Sequence, residues 1–330
     1  MKNKFVSKIL LLITPIVFVC NSYFSSAAMF AGKEPPMEKK IILVTGSTDG
    51  IGKEAAKQLA AQGHKVIIHG RDADKATRTV TEIKAATGNS DIEFVIADLL
   101  SFREVQRMAH DIETRYHHLD VLINNAGAVF STEHKLTVDG EERTFQLNVF
   151  SPFLLTQLLL PTLQKSKSAR VIFEASAAHS VAREPDFTDM KSLKTYGAQG
   201  NYCLSKLYLI WVAQHFSKIL SERGVSNITV NTTHPGMVNS QFGQGMKKGL
   251  FTDMIYWVGS FFADKPSDGA MSEVFLATSP TVEGVSGKYY SNKCQEDQPS
   301  MKYYSLENEQ HIWDYCSEIC KPYISTSAFL

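Results

Sequence analysis

Short runs of consecutive apolar residues recur along the chain, each ending at a polar or glycine-containing turn. The first, Ile41-Ile42-Leu43-Val44, leads into a glycine-rich stretch, Thr45 to Gly52. A run without alternation suits a parallel strand covered on both faces. Lys53 to Gln62 then carries helical periodicity, with Gly63 as its stop. Further strands are expected at Val66-Ile67-Ile68, Phe94-Val95-Ile96, Val121-Leu122-Ile123, Val171-Ile172-Phe173 and Ile228-Thr229-Val230. Val285 to Tyr290 is the candidate for a last one, and helical patterns fill the intervals. Strands alternating with helices imply right-handed crossovers and a parallel sheet with helices on both sides. The expected fold is therefore α/β, a Rossmann-like doubly wound sheet in one domain, residues 37–330. Neither an internal repeat nor a low-complexity linker divides it.

Composition changes this picture little. The chain has 330 residues, 44% of them hydrophobic, and its 34 basic side chains balance 34 acidic ones. A neutral chain has no electrostatic footprint for nucleic acid, so that partner is excluded. Cys20, Cys203, Cys294, Cys316 and Cys320 are an odd set with no metal-finger spacing, and free thiols are the reading. Residues 1–36 have a different character. Lys2, Lys4 and Lys8 precede the apolar run Ile9 to Cys20, and Ser25-Ser26-Ala27-Ala28 follows. This is the layout of a secretory signal. Counting Tyr23 and Phe24 makes an uncleaved anchor through residues 9–24 the alternative, and Met37 as the true start is a third. The corresponding locations are membrane-associated, or cytoplasmic if Met37 is the start.

Tyr202 and Lys206, four apart, share one helix face. A phenol of ordinary pKa ~10 becomes an acid–base group near neutrality only when a nearby cation favours its ionised form. Gly46, Gly50 and Gly52, between a buried strand and a helix, permit the backbone to approach a pyrophosphate at the helix N-terminus. At the end of the second strand an acidic side chain would bind a ribose 2′-hydroxyl, and this chain has Gly70 and Arg71 instead. That substitution favours NADP(H) over NAD(H). Asp49 and Asp72 nearby oppose a phosphate, although Asp72 also suits a helix cap.

These segments, with Asn124-Asn125-Ala126-Gly127, Asn148, Ser176 and Pro235-Gly236 in order, resemble the short-chain dehydrogenase/reductase family. The resemblance is to its single-domain, retinol-dehydrogenase-like branch and runs from about Met37 to about Cys294. It implies that Tyr202 is the acid–base and that Lys206 supports it and holds the ribose. It implies that Ser176 hydrogen-bonds the carbonyl oxygen and Asn148 holds a proton-relay water. For the cofactor it implies Gly46, Ser47, Gly50, Ile51, Gly52, Arg71, Asp98, Leu99, Asn125, Tyr202, Lys206, Pro235 and Ser240, with Asp98 and Leu99 at the adenine. Asp98 is alternatively a plain cap for the helix before Phe102. No metal site is expected.

Glu174-Ala175-Ser176 departs from the family's paired serines, which puts substrate polarity in question. Residues 241–266 carry Phe242, Phe251, Met254, Ile255, Trp257, Phe261 and Phe262; related enzymes use this insertion as a cover over substrate, and packing on the core or a dimer surface, or docking on a membrane, is the alternative. Residues 295–330 read as a C-terminal tail. His117, His118, His179 and His234 read as structural or solvated. The sequons at Asn227 and Asn231 flank a core strand, where a glycan has no room. The implied function is an NADP(H)-dependent oxidoreductase acting on a small lipophilic alcohol, aldehyde or ketone, with oligomeric state left open. A dinucleotide-sensing binding protein without chemistry is the alternative, and a secreted structural protein a third reading that leaves the Tyr202–Lys206 set unexplained.

Overall fold

All six expected strands form, and they line up in one sheet. The structure is a computed structural model that describes residues 38–130, 135–191, 197–236 and 265–324. The N-terminal signal or anchor expected before Met37 lies outside the described residues. Lys40–Leu330 forms a single compact unit. Its strands are β1 (Ile41–Val44), β2 (Lys65–Gly70), β3 (Ile92–Ile96), β4 (Val121–Asn124), β5 (Ala169–Glu174), β6 (Ile228–Thr233), β7 (Tyr289–Tyr290) and β8 (Glu296–Asp297). Their order is β3-β2-β1-β4-β5-β6-β7-β8, parallel except for the β7–β8 pair. The order reverses beside β1, between β2 and β4, which is the crevice where doubly wound sheets bind ligands.

The helices are α1 (Gly50–Ala61), α2 (Ala73–Thr87), α3 (Phe102–Arg115), α4 (Arg143–Phe145), α5 (Ser151–Leu163), α6 (Ala198–Glu222), α7 (Pro266–Gly269), α8 (Met271–Thr278) and α9 (Leu306–Cys320). Side-chain alternation along the strands divides the core in two. Ile42, Val44, Ile123 and Ile172 pack with Ala55, Leu59, Val274 and Ala277 of α1 and α8. Leu43, Leu122, Val171 and Phe173 pack with α3, α5, α6 and α9 on the other face. Because α6 is enclosed by the sheet, α4 and α9, it is buried along most of its length and carries a weak amphipathic signal.

The differences from expectation have local causes. α1 starts at Gly50 rather than Lys53 because Asp49 accepts the Gly50 amide and caps it. The last parallel strand is confined to Tyr289–Tyr290, since Val285 bonds back to Val282 in a turn and Gly287 has φ +76°. The tail segment supplies α9, whose Ile312, Trp313, Cys316 and Cys320 enter the core. Trp313 sits edge-on to Phe153 and Phe216, and Glu309 accepts from His215 at 2.7 Å. Cys203, Cys294, Cys316 and Cys320 are free thiols. Among the described residues no helix is long and apolar enough to cross a membrane, and no group of side chains is arranged to hold a metal ion. The Asn227 and Asn231 amides are both spent on backbone carbonyls.

Candidate active site

The turn after β1 is held from three sides. Gly46 and Gly50 have φ of +65° and +55°, the left-handed region that disfavours a side chain. A Cβ on Gly46 would lie 2.9 Å from Ala126 Cα, so the turn packs directly on the loop after β4. Asn125 Nδ2 donates to Thr45 O at 2.7 Å, and Thr45 Oγ1 accepts the Ala126 amide at 3.0 Å. A Cβ on Gly52 would come within 2.3 Å of Asn125 Nδ2. The third support is His69 of β2, which the sequence reading did not single out. Its Nδ1 accepts the Gly46 amide at 3.0 Å, so Nε2 carries the proton and donates to Ala97 O at 3.2 Å. Burial holds this imidazole neutral, with its pKa pulled down to about 4. Ser47 completes the clasp, accepting the His69 amide and donating to Val44 O.

Toward solvent the same turn is open. A Cβ on Gly50 would meet nothing within 4 Å, at the N-terminus of a helix of 12 residues whose first amides have no intrahelical partner. That open space at a helix N-terminus fits a dinucleotide pyrophosphate, with the Gly46 and Ser47 amides spent on His69 and the Gly50 amide held by Asp49.

Beside it, a Cβ on Gly70 would lie 2.5 Å from Thr48 Cγ2. A side chain at Gly70, acidic or not, would therefore require Thr48 to shift. Arg71 follows, exposed. The two opposing carboxylates are engaged: Asp49 by Lys75 Nζ at 2.7 Å, and Asp72 by the Lys75 amide at 2.9 Å as the cap of α2. Lys75 holds the Asp49 carboxyl below its usual range, and the amide does the same for Asp72. Asp98 accepts the Leu100 amide, while the cap of α3 is Ser101 rather than Asp98. Leu99 is buried, and its carbonyl accepts from Ser151 Oγ.

At the carboxyl edge of β4 and β5, Lys206, Tyr202 and Asn148 come together. Lys206, on α6, is buried and donates to the Glu174 carbonyl at 2.6 Å. Its Nζ lies 5.8 Å from the Tyr202 ring centroid. A Cβ on Gly127 would approach Lys206 Nζ at 3.2 Å and Asn148 Oδ1 at 3.3 Å, so a bare backbone is what lets these two groups flank it. Asn148 sits in a π-helical turn, Gln146–Phe150, between α4 and α5. Single π turns often mark functional positions. Its amide orientation is set by a reciprocal pair with Ala128: Oδ1 accepts from the amide at 3.0 Å and Nδ2 donates to the carbonyl at 3.1 Å. Nδ2 also donates to Ser205 Oγ, one residue before the lysine.

Ser176 caps the short turn Ala177–Val181, its Oγ accepting the Ala178 amide. The hydroxyl proton is not consumed by that bond. Its carbonyl accepts from His179 Nδ1 at 2.7 Å, and His179 Nε2 in turn accepts the Ser300 amide, so His179 is a structural brace. Ala178 also packs on Tyr202 and Val129. Pro235 and Gly236 follow β6, where His234 Nδ1 accepts the Gly236 amide. Ser240 and most of segment 241–266 lie outside the described residues. Besides His69, sequence reasoning missed Glu273 of α8, fully buried beside Glu174; its only signal was a lone carboxylate in an apolar helical run.

Residues 40–250 match the family model described as short chain dehydrogenase. The chain belongs to this family. It is an oxidoreductase that uses a nicotinamide dinucleotide to interconvert alcohol and carbonyl, and its relatives give it retinol-dehydrogenase-like character. A polyprenol dehydrogenase from Homo sapiens is 35% identical over 291 residues, 86% of each chain. Retinol dehydrogenase 13 from Mus musculus is 34% identical, over 83% of this chain and 81% of its own. Among solved structures, a protein from Mycobacterium paratuberculosis superposes with TM-score 0.66 at 23% identity, covering 86% of this chain and 93% of that one. A Shigella flexneri short chain dehydrogenase complexed with NADP gives 0.60 at 24%, covering 79% and 100%. At these identities the structural matches speak to the fold alone.

Proposed function

We propose that this member of the short chain dehydrogenase family is NADP(H)-dependent and interconverts a lipophilic alcohol with its aldehyde or ketone, using Asn148, Ser176, Tyr202 and Lys206. The observation that carries the reading is Lys206. A buried ammonium clamped to the Glu174 carbonyl, beside the Tyr202 ring and across Gly127 from Asn148, has the position of a support for phenolate chemistry. When bound, the nicotinamide supplies or accepts the hydride. Tyr202 holds the proton that the substrate oxygen gains or loses, and Lys206 stabilises the phenolate left behind. Ser176 keeps a hydroxyl proton to donate to that oxygen. Asn148, fixed by Ala128, offers its surroundings to a relay water. Gly46, Ser47, Gly50, Ile51 and Gly52 would hold the pyrophosphate, with Asp98, Leu99, Asn125, Pro235 and Ser240 along the rest of the dinucleotide. Arg71, free of an acidic competitor at Gly70, would meet a 2′-phosphate.

The substrate class is supported by the names of the relatives, which are polyprenol and retinol dehydrogenases, and by the apolar sequence of residues 241–266. An apolar stretch at residues 9–24 would hold such an enzyme at a lipid surface, where these substrates partition. A series of straight-chain aldehydes of increasing length, assayed with NADPH and NADH, tests the reading. kcat/KM rises by up to about fourfold per methylene, from ~0.8 kcal/mol of burial each, until the pocket is filled. Tyr202→Phe lowers turnover by at least ~10²-fold and keeps nucleotide binding. A flat series refutes the lipophilic substrate, and tight nucleotide binding with no turnover of any carbonyl or alcohol would identify a sensor instead.

A further inference from the structure

Gln146 opens the π turn that carries Asn148, and its side chain is completely buried. Both ends of its amide are used. Nε2 donates to Asp139 Oδ2 at 2.6 Å, and Oε1 accepts from Thr137 Oγ1. A buried amide is costly to leave unpaired, so these two partners fix its place. Ser151, the first residue after the turn, is equally buried, and its Oγ donates to Leu99 O at 2.5 Å. Asn148 therefore lies between two buried polar anchors.

Both anchors lead to the segment between β3 and α3. Ser151 reaches it directly at Leu99. Gln146 reaches it through Asp139, whose Oδ2 also accepts the Phe102 amide at 2.8 Å. That amide is the first of α3 and has no intrahelical partner of its own. Asp139 is itself held in a closed loop. Leu136 pairs with Glu142 in an isolated bridge, and Thr137 N donates to Glu141 O at 2.8 Å. Thr137 Oγ1 accepts the Asp139 and Glu141 amides. From the C-terminal segment Tyr323 OH donates to Asp139 Oδ1 at 3.3 Å, and Tyr315 OH to Glu141 Oε2 at 2.7 Å. α9 and the residues after it thus close on the loop that grips the π turn.

The segment around Asp98 and Leu99 has supports of its own. Glu104 accepts the Asp98 amide at 2.7 Å, Asp98 accepts the Leu100 amide, and Ser101 caps α3. Loosening Gln146 therefore frees the π turn and leaves the residues assigned to the adenine in place. Phe145, Val149 and Phe150 bury the turn, but apolar burial is non-directional. The directional side-chain restraints at its two ends are the bonds of Gln146 and Ser151. The bonds of Asn148 to Ala128 and Ser205 orient its amide, while the turn sets the backbone beneath it.

We infer that Gln146 and Asp139 are positioning residues for Asn148: together they lock the π turn against the start of α3 and so hold Asn148 beside Gly127 and Lys206. Neither touches the reacting atoms. The inference rests on the proposed oxidoreductase reading only where turnover is the readout.

Gln146→Met and Gln146→Glu test it. Methionine keeps the length and fills the space without either hydrogen bond. Glutamic acid, when protonated, donates to Asp139 and accepts from Thr137 as the amide does; once ionised, it sets two carboxylates against each other. Nearby cations are engaged elsewhere, Lys191 by Gly140 O and Glu141, and Arg143 over the Phe130 ring. The Asn148 side-chain amide is followed by NMR, its signal assigned by loss in Asn148→Ala. Gln146→Met shifts that signal and lowers kcat by roughly 10–100-fold, the usual cost of a small misplacement, while NADPH affinity by calorimetric titration is kept. Gln146→Glu matches the wild type in both signal and kcat at acidic pH. It departs from both as pH rises through about 5–7, the range of a carboxyl raised by a like-charged neighbour. This variant carries the test alone if methionine prevents folding. An Asn148 signal that stays in place, a moved signal with unchanged kcat, or a Gln146→Glu kcat whose ratio to the wild type is flat with pH overturns the inference. So does equal loss of kcat and nucleotide affinity, the mark of a general loosening of the fold. A moved, pH-reversible Asn148 signal in a protein that turns over nothing supports the positioning and refutes the proposed reaction.

Discussion

Gly52→Ala sets two effects of opposite sign against each other. Gly52 lies in the first turn of α1, where helix propensity alone predicts that alanine stabilises by about 1 kcal/mol. The new Cβ, however, would lie 2.3 Å from Asn125 Nδ2 and 2.9 Å from Gly46 O. Gly46 O is backbone and cannot swing aside. Asn125 can, but its Nδ2 holds Thr45 O at 2.7 Å, and moving it orphans that carbonyl. An unpaired buried acceptor costs about 1–3 kcal/mol, and overpacking adds about 1–3 kcal/mol. Subtracting the propensity gain leaves a net loss of about 3 kcal/mol. At roughly 2–3 °C per kcal/mol for a domain this large, thermal melting falls by about 6–9 °C. Differential scanning calorimetry without nucleotide reads this, with Gly63→Ala as control. Gly63 has φ +86° and no atom within 4 Å of an added Cβ, so it loses only the backbone strain, about 1–2 kcal/mol. In an Asn125→Ala background, where the closest obstacle is gone, Gly52→Ala costs less than half as much. A Gly52→Ala protein as stable as the wild type, or strict additivity of the two changes, would refute the steric reading of the turn.

The other predictions concern charge. Arg71→Ala weakens NADPH binding by roughly 10–100-fold, the loss of one charge-assisted hydrogen bond to phosphate, and leaves NADH unchanged; calorimetric titration of both nucleotides checks it. His69 has a folded pKa of about 4, below its ordinary 6.5, so the unfolded chain binds the proton first as pH falls. Its contribution is complete above pH 6.5 and is lost between there and about 4, at about 1.4 kcal/mol per unit, in all roughly 3 kcal/mol. His64, buried and pulled down to about 4, acts in the same direction. His69→Gln can accept from Gly46 and donate to Ala97 without titrating, and urea unfolding across this range shows a shallower acid slope than the wild type; an unchanged slope refutes the assignment.

What the sequence made legible was whatever local chemistry decides. Continuous apolar runs such as Ile41–Val44 announced strands buried on both faces, and all six appear. The glycine turn announced itself because Gly46 and Gly50 occupy backbone that other residues avoid. Tyr202 and Lys206 were readable because one helical turn brings them together without help from the rest of the fold. Asp72 as a cap was readable for the same reason. β8 was not, since Glu296 and Asp297 carry no apolar pattern and pair only because β7 presents an edge to them. α9 read as a tail because its apolar face, Ile312, Trp313 and Cys316, has meaning only against Phe153 and Phe216.

Glu174 shows where local reading stops. Two residues before Ser176, it put substrate polarity in question, because proximity in sequence was the only geometry available. The strand's alternation sends its side chain to the opposite face, and only its carbonyl meets Lys206. The lipophilic-substrate reading therefore loses its one objection from the sequence. The carboxyl is buried on that face, as is Glu273, a residue equally anomalous in its own apolar helix. Each carboxylate alone contradicts its surroundings, and a buried charge without a partner is too costly to keep. Burial pushes both carboxyls up, which favours their neutral forms over a buried charge. Their burial is invisible to periodicity and spacing, and here one of them belongs to the residue whose carbonyl holds Lys206.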